Sequence, residues 1–384
     1  MPLWAAAQAP EPVKLGVIGP FSGPSSDFGT PMLQGIKLAV DEINAVGGYL
    51  GRPLELVVRD DQGTPDVGLK ASQELVAAGV LGTVGFCNTG VALKSLDVYQ
   101  DHKHLLMVPV STGSAVTAKY PAADSFVFRV SPNDTLQAAF VVNEVVDKRG
   151  LTRVAVFADK TGYGEGGLQD VVKFLAERKL KPVYVGRFDL GVKSLVDEVH
   201  AAKAAGAEAI IGYTVGPEQA VLVKARAETQ FAGPLFGPWP MSFRTVWDST
   251  GGGAEGVMVV QSIIQDLSNE RRSSFLARLK RLSGEQRVGS LMAAAQSYDA
   301  MHLMLRAVFQ THGDTSGTAL KAALENFERP YAGVVTTHDR PFSVRDHDAF
   351  SMNMIWLGVW RKGEVQFYYP EDAKRASVIR RKSS

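Results

Sequence analysis

From residue 13 onward, short continuous apolar runs alternate along the chain with longer segments in which apolar residues recur at helical spacing. Short apolar runs rich in Val and Ile, bounded by Gly, Pro or polar residues, are typical of buried strands. These runs are residues 13–19, 54–59, 80–86 and 105–110. Between them, apolar residues recur at helical spacing over residues 31–45, 67–78 and 91–100. Strands joined by helices need crossover connections, so the pattern predicts a parallel sheet covered by helices on both faces.

The same alternation restarts at residue 126. Strands are predicted at residues 126–130, 153–158, 183–188 and 209–213, and helices at residues 136–147, 168–179, 195–205 and 219–229. Each of the two sets of units has about the size of one doubly wound domain. The sequence therefore predicts an α/β fold with two doubly wound parallel-sheet lobes.

The remainder of the chain is too short for a third domain. It contains a strand at residues 256–263, a mostly helical stretch at residues 270–309, a helix at residues 318–327 and late strands at residues 352–360 and 365–369. We expect these elements to return to the two lobes and complete them. The chain then crosses between the lobes several times.

The composition argues against several classes of function. The 384 residues carry 41 Lys and Arg against 40 Asp and Glu, so there is no basic excess for nucleic-acid binding. The single cysteine, Cys87, cannot form an intrachain disulfide, and with seven scattered histidines it does not suggest a metal site. The longest nearly apolar run, residues 76–87, is too short to span a bilayer.

The first nine residues, MPLWAAAQA, are apolar and end in a small-x-small pattern of the kind that signal peptidase cleaves. Neither a charged segment nor a full apolar segment precedes that pattern. One interpretation is the end of an export signal whose start lies upstream of Met1, and the other is a frayed terminus without function.

Two predicted strands end in loops suited to an anion. The strand at residues 80–86 is followed by Asn88 and Thr89, and the strand at residues 105–110 by Ser111 and Thr112. Ligands of parallel sheets bind at the carboxyl ends of strands, where helix N-termini offer free N–H groups and a positive dipole end. Two such loops on neighbouring strands would hold one carboxylate or phosphate. The alternative is that these residues are ordinary helix caps.

An enzyme hypothesis rests on residues 162–167, which read Gly-Tyr-Gly-Glu-Gly-Gly and fit the dinucleotide-binding pattern, with Asp189 at a suitable distance. Three residues separate the predicted strand from the first glycine, whereas a dinucleotide turn is tight. The sequence contains no G-x-S-x-G, G-K-[ST] or H-E-x-x-H motif. We assign no catalytic residue, no metal and no cofactor.

A set of short motifs carries a resemblance to a known family. These are Gly19-Pro20-Phe21-Ser22-Gly23-Pro24, Asp41-Glu42-Ile43-Asn44 with Gly47-Gly48, Asp60-Asp61-Gln62, Pro109-Val110-Ser111-Thr112, and Asp159-Lys160 with Tyr163-Gly164-Glu165-Gly166. In this order and spacing the chain resembles the type I periplasmic solute-binding proteins of ABC importers, in their Leu/Ile/Val-binding, branched-chain amino-acid branch. The resemblance covers nearly the whole chain from Val13 and implies export to the periplasm. It also implies that the Tyr-Gly-Glu-Gly stretch does not bind a dinucleotide.

The resemblance implies that a ligand lies between two lobes joined by three crossings. Thr89 matches the hydroxyl residue that grips the ligand carboxylate, with Asn88 beside it, while Val110 contributes its backbone and Thr112 its hydroxyl and N–H. Other matching positions face the ligand from the pocket mouth or the second lobe. They are Phe28 and Tyr163 and, within a residue or two of another ligand-facing position, Tyr213 and Val215.

The sequence departs from the family at one position. Amino-acid binders place a Glu after a Gly-Pro pair to meet the ligand's ammonium, whereas here Gly237-Pro238 is followed by Trp239. Burying an ammonium without a counter-charge costs several kcal/mol, and a cation–π contact returns only about 0.5–2 kcal/mol. Residues 293–295 are alanines where bulky residues often narrow the side-chain pocket. We expect an organic acid without an α-amino group, aromatic or with a bulky apolar tail.

The sequence thus predicts a monomeric periplasmic binding component that passes a small carboxylate to the permease subunits of an ABC importer. Lobe 1 is assigned to residues 13–130 plus 262–340 and lobe 2 to residues 131–261 plus 341–384, after a signal remnant at residues 1–12. Hinge crossings are expected at residues 128–132, 260–264 and 338–348. Open alternatives are a branched-chain or aromatic amino-acid binder, a sensor of the same fold and, more distantly, a nucleotide-dependent enzyme.

Overall fold

The structure is a computed structural model that describes residues 10–265, 269–284, 288–376 and 382. Residues 1–9, to which the export-signal prediction applies, lie outside the described residues. The strands in chain order are β1 (Val13–Gly19), β2 (Leu54–Asp60), β3 (Thr83–Gly85), β4 (Leu106–Val108), β5 (Val127–Arg129), β6 (Val154–Asp159), β7 (Tyr184–Phe188), β8 (Ala209–Tyr213), β9 (Leu235–Gly237), β10 (Met258–Gln261), β11 (Tyr331–Ala332), β12 (Thr337–His338), β13 (Trp356–Arg361) and β14 (Glu364–Phe367).

The α-helices in chain order are α1 (Ser26–Ala45), α2 (Pro65–Ala77), α3 (Thr89–Asp101), α4 (Ala115–Ala118), α5 (Asp134–Val142), α6 (Gly162–Glu177), α7 (Val196–Ala204), α8 (Glu218–Glu228), α9 (Arg244–Ser249), α10 (Glu270–Ser283), α11 (Leu291–Gln310), α12 (Gly317–Glu325) and α13 (Pro370–Ala376). A π-helical segment, Asn143–Lys148, continues α5, and a 3₁₀ turn, Trp239–Ser242, follows β9. No helix in the described ranges is long and apolar enough to cross a membrane.

Lobe 1 is built on a five-stranded sheet with the order β2-β1-β3-β4-β5, in which every pairing is parallel. Helix α11 lies along α1 on one face of this sheet, while α2 and α3 pack together on the other. The approach of α1 and α11 is close, because a side chain at Gly35 would overlap the backbone of Ala294. Ala294, in the middle of the three alanines, therefore lies at a close contact between two helices.

Lobe 2 is built on a seven-stranded sheet with the order β14-β13-β10-β9-β8-β6-β7. The pairings from β10 to β7 are parallel, and β13 and β14 add an antiparallel edge. The two-lobe α/β architecture predicted from the alternating pattern is confirmed. One cluster of buried apolar side chains is continuous across both lobes, which lie against each other in a closed arrangement.

The chain passes between the lobes three times, after β5, after β10 and between β12 and β13. The third passage was predicted at residues 338–348, but the chain remains in contact with lobe 1 up to residue 349. Phe342 and His347 pack on Phe128, and the backbone of Arg129 bonds to residues 347 and 349. Within residues 341–384, which we assigned to lobe 2, the part up to residue 349 thus contacts β5 of lobe 1.

Several predicted element boundaries were wrong for identifiable reasons. Helix α1 begins at Ser26, five residues before its predicted start, because Pro31 is accommodated inside the helix. Helix α6 begins at Gly162 and not at residue 168, because the Thr161 side chain caps a glycine-rich first turn. The helical stretch at residues 270–309 is two helices, because α10 ends at Ser283 and the next residue, Gly284, caps it in a left-handed conformation (φ 62°). The late strand begins only at Trp356, after a 3₁₀ turn.

Candidate functional site

The two polar loops predicted to face an anion follow the adjacent strands β3 and β4, and the structure brings them together. Thr89 Oγ1 lies 3.1 Å from Ser111 Oγ, and the Gly113 N–H donates to Thr89 Oγ1 at 3.3 Å. A side chain at Gly113 would overlap Thr89, so the close approach requires glycine there. Thr89, Ser111 and Thr112 are all buried. Their hydroxyls form a compact polar group at the carboxyl edge of the sheet.

Helix α3 begins at Thr89, and its N-terminal end points into this edge of the lobe. Its N-cap residue, Asn88, makes no side-chain capping bond, so its side chain does not cover the first-turn N–H groups of α3. The start of α6 lies opposite, because a Cβ placed on Gly162 would be 3.8 Å from Gly90 Cα. The N-terminus of α3 thus offers N–H groups that no side chain caps and a positive dipole end suited to an anion, and the start of α6 packs against it from lobe 2.

Arg129 fixes the loop after β4 from behind. Its Nη1 donates to the carbonyl oxygens of Thr112 at 3.1 Å and Gly113 at 2.6 Å, while Nη2 donates to Thr117 Oγ1 at 2.6 Å. Its Nε donates to Asp348 Oδ1 at 2.5 Å, and the Arg129 side chain is fully buried. Burial raises the pKa of the Asp348 carboxyl, but the Arg129 charge and hydrogen bond outweigh this and hold that pKa below its usual value. Arg129 is a positioning residue for the loop.

Three aromatic side chains meet beside the hydroxyl group. The Trp239 and Phe28 ring centroids are 6.2 Å apart, and Phe243 lies 4.9 Å from Phe28 and 5.1 Å from Trp239. Phe28 belongs to α1 of lobe 1, whereas Trp239 and Phe243 belong to lobe 2. Trp239 Nε1 donates to Thr112 Oγ1 at 3.4 Å, so the aromatic group and the hydroxyl group adjoin.

Asp134, at the start of α5, is a buried acid next to these residues. Its backbone N–H donates to the Thr112 carbonyl at 2.8 Å, and its Oδ2 has no hydrogen-bond partner among the described residues. Burial raises the pKa of Asp134 to about 7, with a smaller contribution from Asp170, while Thr112 and the Arg129 charge act in the opposite direction. Gln137 links this acid to the aromatic group. Its Nε2 donates to Asp134 Oδ1 at 3.4 Å, and its Oε1 accepts from the backbone N–H of Trp239 at 3.1 Å.

Asp170 of α6 contacts lobe 1 through a hydroxyl pair. Ser114 Oγ donates to Asp170 Oδ2 at 2.9 Å and lies 2.7 Å from Thr135 Oγ1. The Thr135 backbone N–H also donates to Ser114 Oγ at 3.0 Å. These contacts join the loop after β4 to lobe 2 beside the site.

Only some of the residues assigned to the ligand from the sequence lie together in the structure. Thr89, Ser111, Thr112, Phe28 and Trp239 converge as described above, and Val110 is buried behind the loop. Asn88 instead turns towards Ser25, donating to Ser25 Oγ at 3.1 Å. Val215 uses its N–H to donate to Asp159 Oδ2 at 2.8 Å.

The two tyrosines of lobe 2 are placed differently from each other. The Tyr163 hydroxyl is buried without a hydrogen-bond partner in the described part of the chain, and Asp134 and Thr112 are both close to it. The Tyr213 hydroxyl donates to the backbone carbonyl of Asp134 at 3.3 Å, and its fully buried ring lies under α6 at Gly167. Tyr213 therefore supports the helices at the site from the core of lobe 2.

Sequence reasoning missed Arg129, Asp134, Gln137, Asp170 and Phe243. Arg129 left a signal, because a charged residue in the middle of a predicted buried strand needs a partner. Asp134 follows Pro132-Asn133 and is indistinguishable in sequence from an ordinary first-turn acid of a helix. Its contact with Thr112 of the other lobe is a long-range feature of the fold.

The glycine-rich stretch at residues 162–167 is an ordinary capped helix start. Thr161 Oγ1 accepts hydrogen bonds from the N–H groups of Tyr163 and Gly164. Asp189, the acid of the enzyme hypothesis, is exposed and paired with Lys160 at 2.7 Å. Within the described ranges, no group of three or more His, Cys, Asp or Glu side chains is arranged to hold a metal ion.

Comparison with known proteins gives consistent matches. A sequence model of the periplasmic binding protein family matches residues 12–363. The chain is 30% identical over 254 residues to the Leu/Ile/Val-binding protein homolog 3 of Brucella melitensis, covering 66% of this chain and 68% of that protein.

Solved structures share the fold. A periplasmic binding protein type 1 from Bordetella pertussis Tohama I superposes with a TM-score of 0.83 at 21% identity, over 93% of this chain and 99% of that one. A solute-binding protein of an ABC transporter from Rhodopseudomonas palustris HaA2, solved with p-hydroxybenzoic acid, gives a TM-score of 0.79 at 21% identity, over 92% and 95% of the two chains.

Proposed function

Because the chain belongs to the periplasmic binding protein family, we propose that it captures a small carboxylate between its two lobes in the periplasm and delivers it to the permease of an ABC importer. The matched relatives are binding proteins of transporters and not enzymes, so the nucleotide-dependent enzyme hypothesis is abandoned. The protein is a solute-binding protein. Its ligand and its location are the subject of the proposal.

The observation that carries the proposal is the pairing of an anion-binding end with an aromatic end. At one end lie the hydroxyls of Thr89, Ser111 and Thr112 and the N-terminus of α3. At the other lie the rings of Phe28, Trp239 and Phe243. A carboxylate accepts hydrogen bonds from hydroxyls and N–H groups, and an apolar ring is stabilised by aromatic contacts of about 0.5–1.5 kcal/mol each beyond its burial.

We propose an aromatic or bulky apolar carboxylate without an α-amino group as the ligand class. Trp239 occupies the position after Gly237-Pro238 and directs an indole, not a carboxylate, at the site. The Rhodopseudomonas palustris protein, solved with p-hydroxybenzoic acid, supports the proposal because the same fold accommodates such an acid there.

Closure of the lobes would complete the site. Lobe 1 supplies the hydroxyl group and Phe28, whereas lobe 2 supplies Trp239 and Phe243. A carboxylate held by lobe 1 is therefore enclosed only when lobe 2 reaches it. Exclusion of water strengthens the hydrogen bonds already formed, so the ligand stabilises the closed arrangement.

A second candidate ligand is an aromatic or branched-chain amino acid, and Asp134 favours it. Its buried Oδ2 lacks a described partner and adjoins Thr112, where an ammonium next to a gripped carboxylate would lie. An ammonium would lower the pKa of Asp134 and keep it ionised. The name of the Brucella relative is in keeping with such a ligand.

Calorimetric titration with matched acid pairs distinguishes the two candidates. 3-Phenylpropanoate and phenylalanine differ only in the α-amino group, as do 4-methylpentanoate and leucine, and benzoate and 4-hydroxybenzoate complete the panel. Tighter binding of the acids without an amino group supports the main proposal. Tighter binding of the amino acids, lost in Asp134→Asn, supports the second candidate.

The carboxylate grip is tested by Thr89→Ala, with Thr152→Ala as the matched control because Thr152 is an exposed threonine of lobe 2. Loss of a hydrogen bond to a charged group predicts an affinity about tenfold or more weaker in Thr89→Ala. Unchanged affinity of every ligand in Thr89→Ala contradicts the assignment of the site.

A further inference from the structure

A second cavity lies in lobe 1 outside the cleft between the lobes. It has a volume of about 740 Å³, is open on one side and is lined by the C-terminal end of α1, by α10 and α11, and by the segment around residues 327–334. Glu42, which lines this cavity, follows Phe28 of the cleft by 14 residues along α1. At 1.5 Å per residue the two residues are about 21 Å apart. The volume lies within the roughly 300–1,000 Å³ typical of small-molecule sites.

The wall of this cavity carries an excess of fixed positive charge. Four arginines line it against two glutamates; the arginines are Arg271, Arg278, Arg306 and Arg329 and the acids are Glu42 and Glu328. Glu42 is ion-paired with Arg278 and accepts a hydrogen bond from the Tyr298 hydroxyl at 2.6 Å. Arg271, Arg306 and Arg329 form no ion pair with any described residue. These guanidinium groups are free to bind an anion.

Aromatic rings form the apolar part of the same wall. The Arg306 guanidinium lies 4.8 Å from the centroid of the Tyr331 ring, and the His302 ring is 5.3 Å from Tyr331 on a tilted plane. Phe275, Phe309 and Phe327 also line the cavity. A flat ring bearing an anionic group meets stacking partners and guanidinium donors together here.

His302, in the wall of the cavity, makes only a long contact with its charged neighbour Glu42. Its side chain is 11% exposed, and its buried Nε2 lies 3.6 Å from Glu42 Oε2, beyond hydrogen-bond length. Within the described part of the chain this nitrogen has no hydrogen-bond partner. A buried polar atom at a cavity wall without a protein partner is commonly satisfied by a bound molecule or by water.

We propose that this cavity is a second ligand site, which takes an organic anion carrying an aromatic ring. Arg271 and Arg306 bind the anionic group, and Tyr331, Phe275 and Phe309 contact the ring. The anionic group is a carboxylate or a phosphate, since a guanidinium binds both. The proposal does not depend on the ligand of the cleft.

The test is calorimetric titration of the full chain with phthalate, phenyl phosphate, inorganic phosphate and phenol. We expect phthalate or phenyl phosphate to bind, and the tighter of the two identifies the anionic group. Inorganic phosphate lacks the ring and phenol lacks the charge at neutral pH, so each should bind at least about tenfold more weakly. Absence of binding by both aromatic anions, or binding of phenol as tight as theirs, overturns the proposal.

Two sets of variants locate the binding. The double variant Arg271→Gln/Arg306→Gln should weaken the aromatic anion at least about tenfold, because each arginine contributes a charge-assisted hydrogen bond. Both side chains are exposed, so the fold should tolerate the change, and Arg281→Gln on the exposed surface of α10 is the matched control. The cleft variant Thr89→Ala should leave unchanged the binding event that the double variant weakens, whatever it does to binding of the same probe in the cleft. Unchanged affinity for every aromatic anion in the double variant, or loss of that same event in Thr89→Ala, contradicts a site in this cavity.

Discussion

The indole Nε1 of Trp239 lies 3.4 Å from Oγ1 of Thr112, which joins the two lobes at the point where a ligand carboxylate is expected. Thr112 belongs to the loop after β4 of lobe 1, and Trp239 follows β9 of lobe 2. One side chain of the closing lobe thus reaches the polar end of the site and also belongs to its aromatic end. We therefore expect Trp239 to affect both lobe closure and ligand selection.

Trp239→Phe separates these two roles. The variant keeps an aromatic ring but loses the N–H, so the affinity for an aromatic carboxylate should fall by the value of one hydrogen bond, about 1 kcal/mol or roughly fivefold. Trp239→Ala should cause a larger loss because the ring contacts to Phe28 and Phe243 are also removed. Calorimetry measures both losses. Trp247→Phe, whose indole stacks on Trp360, is the control, and equal losses in Trp247→Phe and Trp239→Phe contradict a specific role for Trp239.

Arg129→Met should destabilise the protein by about 3–5 kcal/mol, because it removes the only buried guanidinium paired with the Asp348 carboxylate among the described residues and leaves the carbonyls of Thr112 and Gly113 without their donor. Urea denaturation measures the change in the free energy of unfolding. Arg59→Met removes a pair with Glu74 that is largely exposed, so it should cost at most about 1 kcal/mol. Similar losses in the two variants contradict the role assigned to Arg129.

Gly113→Ala should weaken ligand binding, because the added methyl group overlaps Thr89 and separates the two hydroxyl loops. Gly166→Ala is the matched control. A Cβ added at Gly166 meets nothing within 4 Å, and alanine is more favourable than glycine inside a helix such as α6 by about 1 kcal/mol. Affinity and melting temperature of both variants check the prediction. Full affinity in Gly113→Ala shows that the loops need not be this close.

The free energy of unfolding should fall as pH rises from about 4 to about 7, owing to Asp134. Burial raises the pKa of Asp134 to about 7 in the folded protein, against about 3.9 in an unfolded chain. Between these values the folded state holds a proton that the unfolded state has released, so raising the pH favours unfolding by up to a few kcal/mol. Asp134→Asn should flatten this slope. Asp61, whose pKa burial also raises to about 7, remains in both proteins, so the difference between them isolates Asp134.

The same ionisation distinguishes the two candidate ligands. Above pH 7 an ionised Asp134 repels a carboxylate ligand without an amino group, so the affinity for such an acid should fall. It attracts an ammonium, so the affinity for an amino acid should rise. Titrations of 3-phenylpropanoate and phenylalanine at pH 6 and pH 8 measure both trends. A pH dependence that persists in Asp134→Asn assigns the effect to another group.

The alternating pattern of apolar residues determined the fold class, because a parallel sheet buried on both faces requires continuous apolar strands and crossover helices. The same pattern located Thr89, Ser111 and Thr112, since strand ends at one sheet edge converge whatever the rest of the chain does. It misjudged Ser26 and Gly162 as loop residues because capping and close packing outweigh the low helix propensity of glycine and proline there.

Only the tertiary structure decided which polar residues are buried together. Asp134 and Arg129 are separated by five positions, and their sequence neighbours do not reveal that one adjoins the cleft while the other holds the loop of Thr112 from behind. The cavity lined by Arg271, Arg306 and Tyr331 likewise combines residues of α10, α11 and the following segment. Local sequence fixes helices and strands through short-range periodicity. The partners of a buried charge are fixed by long-range packing, which brings distant segments into contact and which no local pattern records.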